Sequence, residues 1–238
     1  MGPRFALGVD SLVGFEFGSG VAVELVKTDF GVGLGFVDKK RGKPYFADFT
    51  GISWRQRLQK GLGKNHIFTR ALGQPDAGTK IVDATAGFGQ DAVQMLSWGC
   101  EVVALERSKE VAAVLRDGVA RALNEESVAP LFSKIRIVET DAREYLAKLS
   151  DKERPDVIYI DPMFDKPKKT AKSPKNMQLL QELLGEPSAA DLEQLFDAAL
   201  AAAKDRVVVK QPLKGRALKT SPTTSFKGQS IRYDVYVK

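Results

Sequence analysis

From residue 80 to the end of the chain, short apolar runs alternate with longer stretches whose apolar positions recur every three or four residues. That alternation predicts strands and helices in turn, the pattern of a parallel sheet covered on both faces. Strands are expected at 80–84 (KIVDA), 101–106 (EVVALE), 134–139 (KIRIVE), 156–160 (DVIYI), 206–210 (RVVVK) and 231–237 (IRYDVYV). Helices are expected at 89–98, 109–123, 143–149 and 188–203. In the second of them Val111, Val114, Leu115, Val119 and Leu123 are spaced for one face. Ser188 and Asp191 open the last with a capping-box-like pair. The fold class that follows is α/β, a Rossmann-like, doubly wound and mostly parallel sheet.

Residues 1–75 have another texture, with glycines at 31, 33 and 35 and short β-like runs at 21–26 and 45–49. They read as a small β-containing N-terminal subdomain ending in a basic helix, ahead of a Rossmann-like domain at 76–238. The basic stretch carries Arg55, Arg57, Lys60 and Lys64. At 238 residues, 43% hydrophobic and 28% charged, the chain has the composition of a soluble globular protein. No signal-peptide pattern or membrane-length apolar run stands out, and a single cysteine, Cys100, forms no internal disulfide; a cytoplasmic protein without a membrane partner is expected. One histidine leaves no Cys/His cluster for zinc, so no metal is expected. The net charge of +6 favours an anionic partner.

Candidate chemistry gathers at the ends of the predicted strands. Asp83-Ala-Thr-Ala-Gly87-Phe-Gly89-Gln90-Asp91 joins the first strand to the first helix, where small residues let a ligand approach the backbone. Glu106 ends the second strand, where a carboxylate can accept both hydroxyls of a ribose. Asp141 follows the third strand, within reach of an adenine ring, and Asp161 follows the fourth. Gly87-x-Gly89-x-x-Ala92 with Glu106 also fits a dinucleotide fingerprint, so an NAD-dependent oxidoreductase is the rival reading. An anionic Asp83 ahead of the turn suits the ammonium of S-adenosylmethionine better than a pyrophosphate, and the methyltransferase reading leads. Asp83 has a purely structural alternative, holding the glycine turn.

The run DVIYIDPMF at 156–164 delivers a carboxylate (Asp161), a rigid carbonyl (Pro162) and an aromatic ring (Phe164) to one place. An enzyme that methylates a nucleobase amine needs that set: two acceptors to orient the amine and a ring to stack on the base. Phe164 reads equally as a core aromatic, and Tyr159 reads as packing. Lys166, Lys168, Lys169, Lys172 and Lys175 crowd the segment that follows, and phosphate contact is the better reading of them. Arg55 and Arg57 are candidates for a second RNA contact.

The stretches DATAGFGQDA, ALER, DVIYIDPMF, KDRVVVK and KGQSIRYDVYVK, with GKPYFADFTG at 42–51, together resemble the ribosomal RNA small subunit methyltransferase J family. The resemblance runs collinearly over roughly residues 42–238. It implies a class I S-adenosylmethionine-dependent methyltransferase that modifies N2 of a guanosine in small-subunit (16S) rRNA, as free RNA or in the 30S particle. Carried onto this chain, the family's cofactor contacts fall on Gln90-Asp91, Glu106-Arg107, Asp141-Ala142 and Asp161. The family commonly has arginine at the position of Gln90, proline at that of Asp165 and two serines at Asp141-Ala142. Other readings are an amine methyltransferase acting on another nucleic acid or a small molecule, and a non-catalytic RNA-binding module.

Overall fold

The structure is a computed structural model that describes residues 15–16, 21–28, 31–38, 44–162, 187–215, 217–218 and 221–238. Strands β1 (Phe15–Glu16), β2 (Val21–Thr28) and β3 (Gly31–Asp38) form an antiparallel sheet. Helices α1 (Ile52–Lys60) and α2 (Ile67–Ala71) lead into the alternating part of the chain. There follow β4 (Lys80–Asp83), α3 (Gln90–Leu96), β5 (Glu101–Glu106), α4 (Lys109–Leu123), α5 (Ala129–Phe132), β6 (Ile135–Glu139), α6 (Ala142–Ala147) and β7 (Val157–Ile160). The chain closes with α7 (Ala189–Ala202), β8 (Arg206–Pro212), β9 (Thr224–Lys227) and β10 (Ile231–Val237).

The large sheet has the order β6-β5-β4-β7-β8-β10-β9. Strands β4 to β8 pair in parallel, and β10 runs antiparallel between β8 and β9. The chain builds outward from β4 through β5 to β6, then restarts at β7 on the other side. The C-terminal ends of β4 and β7 therefore flank the switch point where such sheets open a crevice.

Alternation along each strand sends side chains to opposite faces. Ile81, Val102, Ala104, Val157, Tyr159 and Val208 pack under α3 and α4, whereas Val82, Leu105, Ile158, Ile160, Val207 and Val209 pack under α6 and α7. Burial on both faces is why these strands read as continuous apolar runs. The first core also takes in Val23, Leu34, Phe36, Ala47 and Phe49 from the N-terminal part of the chain. Asp117 on α4 accepts from the Leu34 amide at 3.1 Å and from Arg121 Nε at 3.1 Å, while Arg121 Nη2 donates to the Ala47 carbonyl at 2.6 Å. These contacts tie the small sheet to α4.

The helix expected at 109–123 is observed with those bounds, and Ser188 caps α7 as expected, accepting from the Asp191 amide at 3.1 Å. The run at 45–49 is not a strand. Tyr45 makes a single bridge to Phe36, after which the Ala47 carbonyl is taken by Arg121, and Phe49 turns inward against Trp54 and Phe132. Strand β9 falls outside the expected set: it is a four-residue edge strand, TSFK, without the apolar alternation that marks a strand. The basic stretch is itself helical, since α1 contains Arg55, Arg57 and Lys60.

Candidate active site

One cleft, of about 200 Å³, opens where β4, β5, β6 and β7 end. Of the residues expected to bind cofactor, Asp83, Gly87, Gln90, Asp91, Glu106, Arg107, Asp141, Ala142 and Asp161 line it, and so does Pro162, expected with Asp161 at the reacting amine. Gly89 does not, and acts behind the wall. It caps α3 at φ 74°, and a Cβ there would stand 2.6 Å from Leu115 Cδ1, so the turn is built for glycine. Between the two glycines Phe88 is buried against Tyr45 and Phe36, with ring centroids 4.3 and 5.8 Å away. The N-terminal sheet thus buttresses the loop that shapes the cleft.

Glu106 is buried, with one oxygen accepting from the Gly87 amide at 2.9 Å and the other from the Ser108 amide at 2.8 Å. Burial pushes its carboxyl up from the usual range, and these backbone bonds pull it back. A carboxylate has about four acceptor positions, so a backbone N–H on each oxygen fixes its plane and leaves capacity for two hydroxyl donors. The walls around it are apolar, from Ala84, Ala86, Leu105, Ala142, Leu192 and Leu195. That combination fits an adenosine.

Asp83 is almost fully buried, its Oδ1 accepting from the Thr85 amide at 3.1 Å. Burial drives its carboxyl well above the ordinary 3.8; the Thr85 bond opposes this, and nearby Asp91 and Asp161 add to it. Burial beside two further carboxyls, only partly offset by Lys210, suits a ligand that brings its own positive charge, such as an ammonium and a sulfonium. The sign of the linkage follows. Between the usual value and the raised one, the free protein holds a proton on Asp83 that a cationic ligand must expel. Affinity for such a ligand is therefore expected to climb with pH through that window, with proton release, and then to level off. In the same window the protein itself loses stability as pH rises, because the folded state binds the proton more tightly than the unfolded one. Calorimetry in buffers of different ionisation enthalpy reads the released proton directly; pH-independent binding without proton release would contradict this reading of Asp83.

Asp141 lines the cleft, where it also caps a helix and holds an arginine. Its Oδ1 caps α6 by accepting from the Arg143 amide at 2.8 Å, and the Arg143 guanidinium bonds both of its oxygens. Arg143 also donates to Asp191 at 2.8 Å and to Gln194 at 2.9 Å, joining α6 to α7 across the cleft mouth. The hydrogen bond with Arg143 keeps Asp141 below the usual carboxylate range.

Asp161 stands immediately after β7, its amide donating to Thr85 Oγ1 at 2.7 Å. Its carboxylate accepts from Lys210 Nζ at 2.7 Å, and the same Nζ donates to Asp91 at 2.8 Å. Tyr159, expected to be packing, is fully buried yet also donates its hydroxyl to Asp91 at 2.7 Å. Lys210, Thr85 and Arg143 are not among the residues expected from the sequence. Lys210 carries one signal there, a cation at the end of the buried run RVVVK.

Phe164 and the lysines at 166, 168, 169, 172 and 175 lie outside the described residues. Arg55 and Arg57 are far from the cleft. Their helix leads to Leu62, whose carbonyl accepts from Trp98 just past the end of α3, and Arg55 pairs with Glu125 just past the end of α4. Both of those ends lie at the opposite edge of the sheet. Among the described residues, no group of His, Cys, Asp and Glu is arranged to hold a metal ion, and no helix is long and apolar enough to cross a membrane.

This strand order, with a ribose-ready carboxylate ending β5 and an acidic pocket beside β4 and β7, defines a class I S-adenosylmethionine-dependent methyltransferase. The solved SAM-dependent methyltransferase NGO1261 from Neisseria gonorrhoeae is similar over 97% of this chain and 91% of its own, with a TM-score of 0.71 and 27% identity. The family described as "Putative SAM-dependent methyltransferase" matches residues 13–238. Proteins named ribosomal RNA small subunit methyltransferase J are similar at 38% identity in Chromobacterium violaceum (83% of this chain, 77% of that one) and 40% in Legionella pneumophila (81% and 75%). The chain belongs to the ribosomal RNA small subunit methyltransferase J family. S-adenosylmethionine is the cofactor, and the oxidoreductase and non-catalytic readings fall away.

Proposed function

We propose that this enzyme methylates the exocyclic N2 amine of a guanosine in small-subunit ribosomal RNA. The observation that carries the reading is the placement of Asp161 and Pro162 on the wall of the cleft that holds Glu106 and Asp83. S-adenosylmethionine supplies an electrophilic methyl group there. Glu106 accepts the ribose hydroxyls, and Asp83 faces the cationic end. Asp91, Gln90, Arg107 and Ala142 complete the cofactor wall, and Asp141 contributes through Arg143.

The amine of guanine is a poor nucleophile because its lone pair is delocalised into the ring. Asp161 and the Pro162 carbonyl accept its two N–H groups, favouring a pyramidal nitrogen aimed into the cleft. Orientation of this kind supplies much of a transfer rate. As the new N–C bond forms, the methyl–sulfonium bond breaks, S-adenosylhomocysteine leaving as a neutral thioether. Positive charge grows on nitrogen, where the Asp161 carboxylate stabilises it until one N–H proton is lost and the neutral N2-methyl amine remains. Phe164 stacks on the extruded base.

The lysines of 165–175 hold phosphates of the same RNA. Neutralising Lys166, Lys168 and Lys169 together is expected to weaken RNA binding and to lower the slope of log K against log salt by roughly 2, at about 0.7–0.9 per phosphate lost. Cofactor affinity stays unchanged. Filter binding at several salt concentrations checks this, and an unaltered slope would remove the lysines from the interface. Arg55 and Arg57, with Lys60 and Lys64, form a second contact that only an RNA larger than the cleft can reach. Such a substrate makes the cytoplasm the place of work and the ribosomal particle the natural partner.

Nucleoside analysis of small-subunit rRNA from a strain lacking the gene tests the proposal in cells. One N2-methylguanosine is expected to disappear and to return with the wild-type chain but not with Asp161→Ala. An unchanged N2-methylguanosine content would contradict it.

A further inference from the structure

Lys210 is the one ammonium built into the acidic wall among the described residues lining the cleft. It sits on β8, next to β7, with its side chain 23% exposed, and its Nζ lies between Oδ2 of Asp91 and Oδ2 of Asp161. Among the described residues, the groups that face Asp161 come from four strands and a helix. They are Asp83 at the end of β4, Asp91 in the first turn of α3, Tyr159 on β7, Lys210 on β8 and Tyr233 on β10. Among these described groups, three carboxyls and two phenols surround the Lys210 ammonium. Tyr159 and Tyr233 stay neutral, both pushed up first by burial and then by the neighbouring carboxylates. Burial pulls the Lys210 ammonium down, but Asp161 and Asp91 push it up further, and it remains charged.

Asp83 is held protonated chiefly by burial, and the two carboxylates that remain, Asp91 and Asp161, would favour a proton on one of them unless a cation intervenes. A protonated Asp161 would turn a hydrogen-bond donor toward an amine that needs an acceptor. An unanchored one would sample other rotamers. The bridge from Lys210 removes both outcomes and ties α3, β7 and β8 together at the reacting end of the cleft.

We propose that Lys210 is a positioning residue for methyl transfer, its ammonium bridging Asp91 and Asp161 so that the Asp161 carboxylate is presented to the substrate amine as an oriented acceptor. The proposal rests on Asp161 being the group that accepts from that amine.

The test is kcat against pH at saturating cofactor for the wild type, Lys210→Met and Lys210→Arg. In Lys210→Met the acid limb is expected to move upward by about 1–3 pH units, the usual effect of removing an opposite charge at this range. Its rate on the plateau should fall roughly 10²-fold, as for a small misplacement of a reacting group. Lys210→Arg should restore the position of the acid limb while leaving the plateau lowered. The shift should persist in an Asp83→Asn background, which removes Asp83 as its source. Should Lys210→Met fail to fold, Lys210→Gln keeps a hydrogen-bonding side chain without the charge and carries the same expectation. An acid limb that stays at its wild-type position, or identical profiles for Met and Arg, overturns the proposal. Asp161→Asn separates the two layers: if it transfers methyl at the wild-type rate the role of Asp161 itself fails, whereas a dead Asp161→Asn beside an unmoved Lys210→Met limb overturns Lys210 alone.

Discussion

Asp161→Asn is expected to lower kcat by roughly 10²–10³-fold, the loss seen when one preorganised electrostatic partner of a transition state is removed. The exchange is nearly isosteric, and the Asp161 amide keeps its bond to Thr85, so the strand end does not move. What is lost is the charge that meets the growing positive charge on nitrogen, together with the ion pair to Lys210. An amide oxygen still accepts a hydrogen bond, so substrate binding should change far less than the rate. Initial rates of methyl transfer, with calorimetric cofactor affinity alongside, check this. A variant with wild-type kcat would remove Asp161 from the chemistry.

Glu106→Gln should show the opposite signature. The carboxylate is gripped by the Gly87 and Ser108 amides, one on each oxygen, so a glutamine must point its NH₂ at one of these donors. That leaves a buried N–H unpaired and weakens the remaining acceptor for the ribose. With hydrogen bonds to charged groups worth about 1.5–3 kcal/mol each, losing the pair raises the cofactor Kd by roughly 10²-fold or more. At saturating cofactor, kcat should be largely retained, because Glu106 touches no reacting atom. Calorimetry with S-adenosylmethionine and with its demethylated product reads this directly, and both affinities should fall together. An unaltered Kd would mean that the ribose lies elsewhere.

Much of this arrangement is legible in the amino-acid sequence, for a physical reason. Strands buried on two faces leave uninterrupted runs such as VIYI and VVV, and a charge ending such a run can only stand at the sheet edge. Asp83, Glu106 and Asp161 are therefore placed by their neighbours. Helix α4 is equally plain, because Val111, Val114, Leu115 and Val119 share one buried face, although Leu123 at its end is exposed. The links between these residues are not legible. Lys210 reaches Asp91 across 119 positions and Asp161 across 49, so pattern along the chain carries no trace of the bridge. Tyr159 escapes its full role for a related reason: one ring can fill the core and still aim its hydroxyl at a carboxylate. The pairing of Asp141 with Arg143 lies two residues apart and follows a recurrent capping geometry, so a closer reading of the sequence could have found it. At 45–49, β-like composition lost to tertiary contacts, with Arg121 taking the carbonyl that a strand partner would have used.

The most direct test of the central claim is transfer of radiolabelled methyl from S-adenosylmethionine to small-subunit rRNA, free and in intact subunits, taken from a strain lacking this gene, followed by nucleoside analysis. Label recovered as N2-methylguanosine, lost with Asp161→Asn, is the predicted result. Label recovered on another nucleoside, or none on either substrate while the protein binds its cofactor, would contradict the assignment of this cleft to a guanine amine.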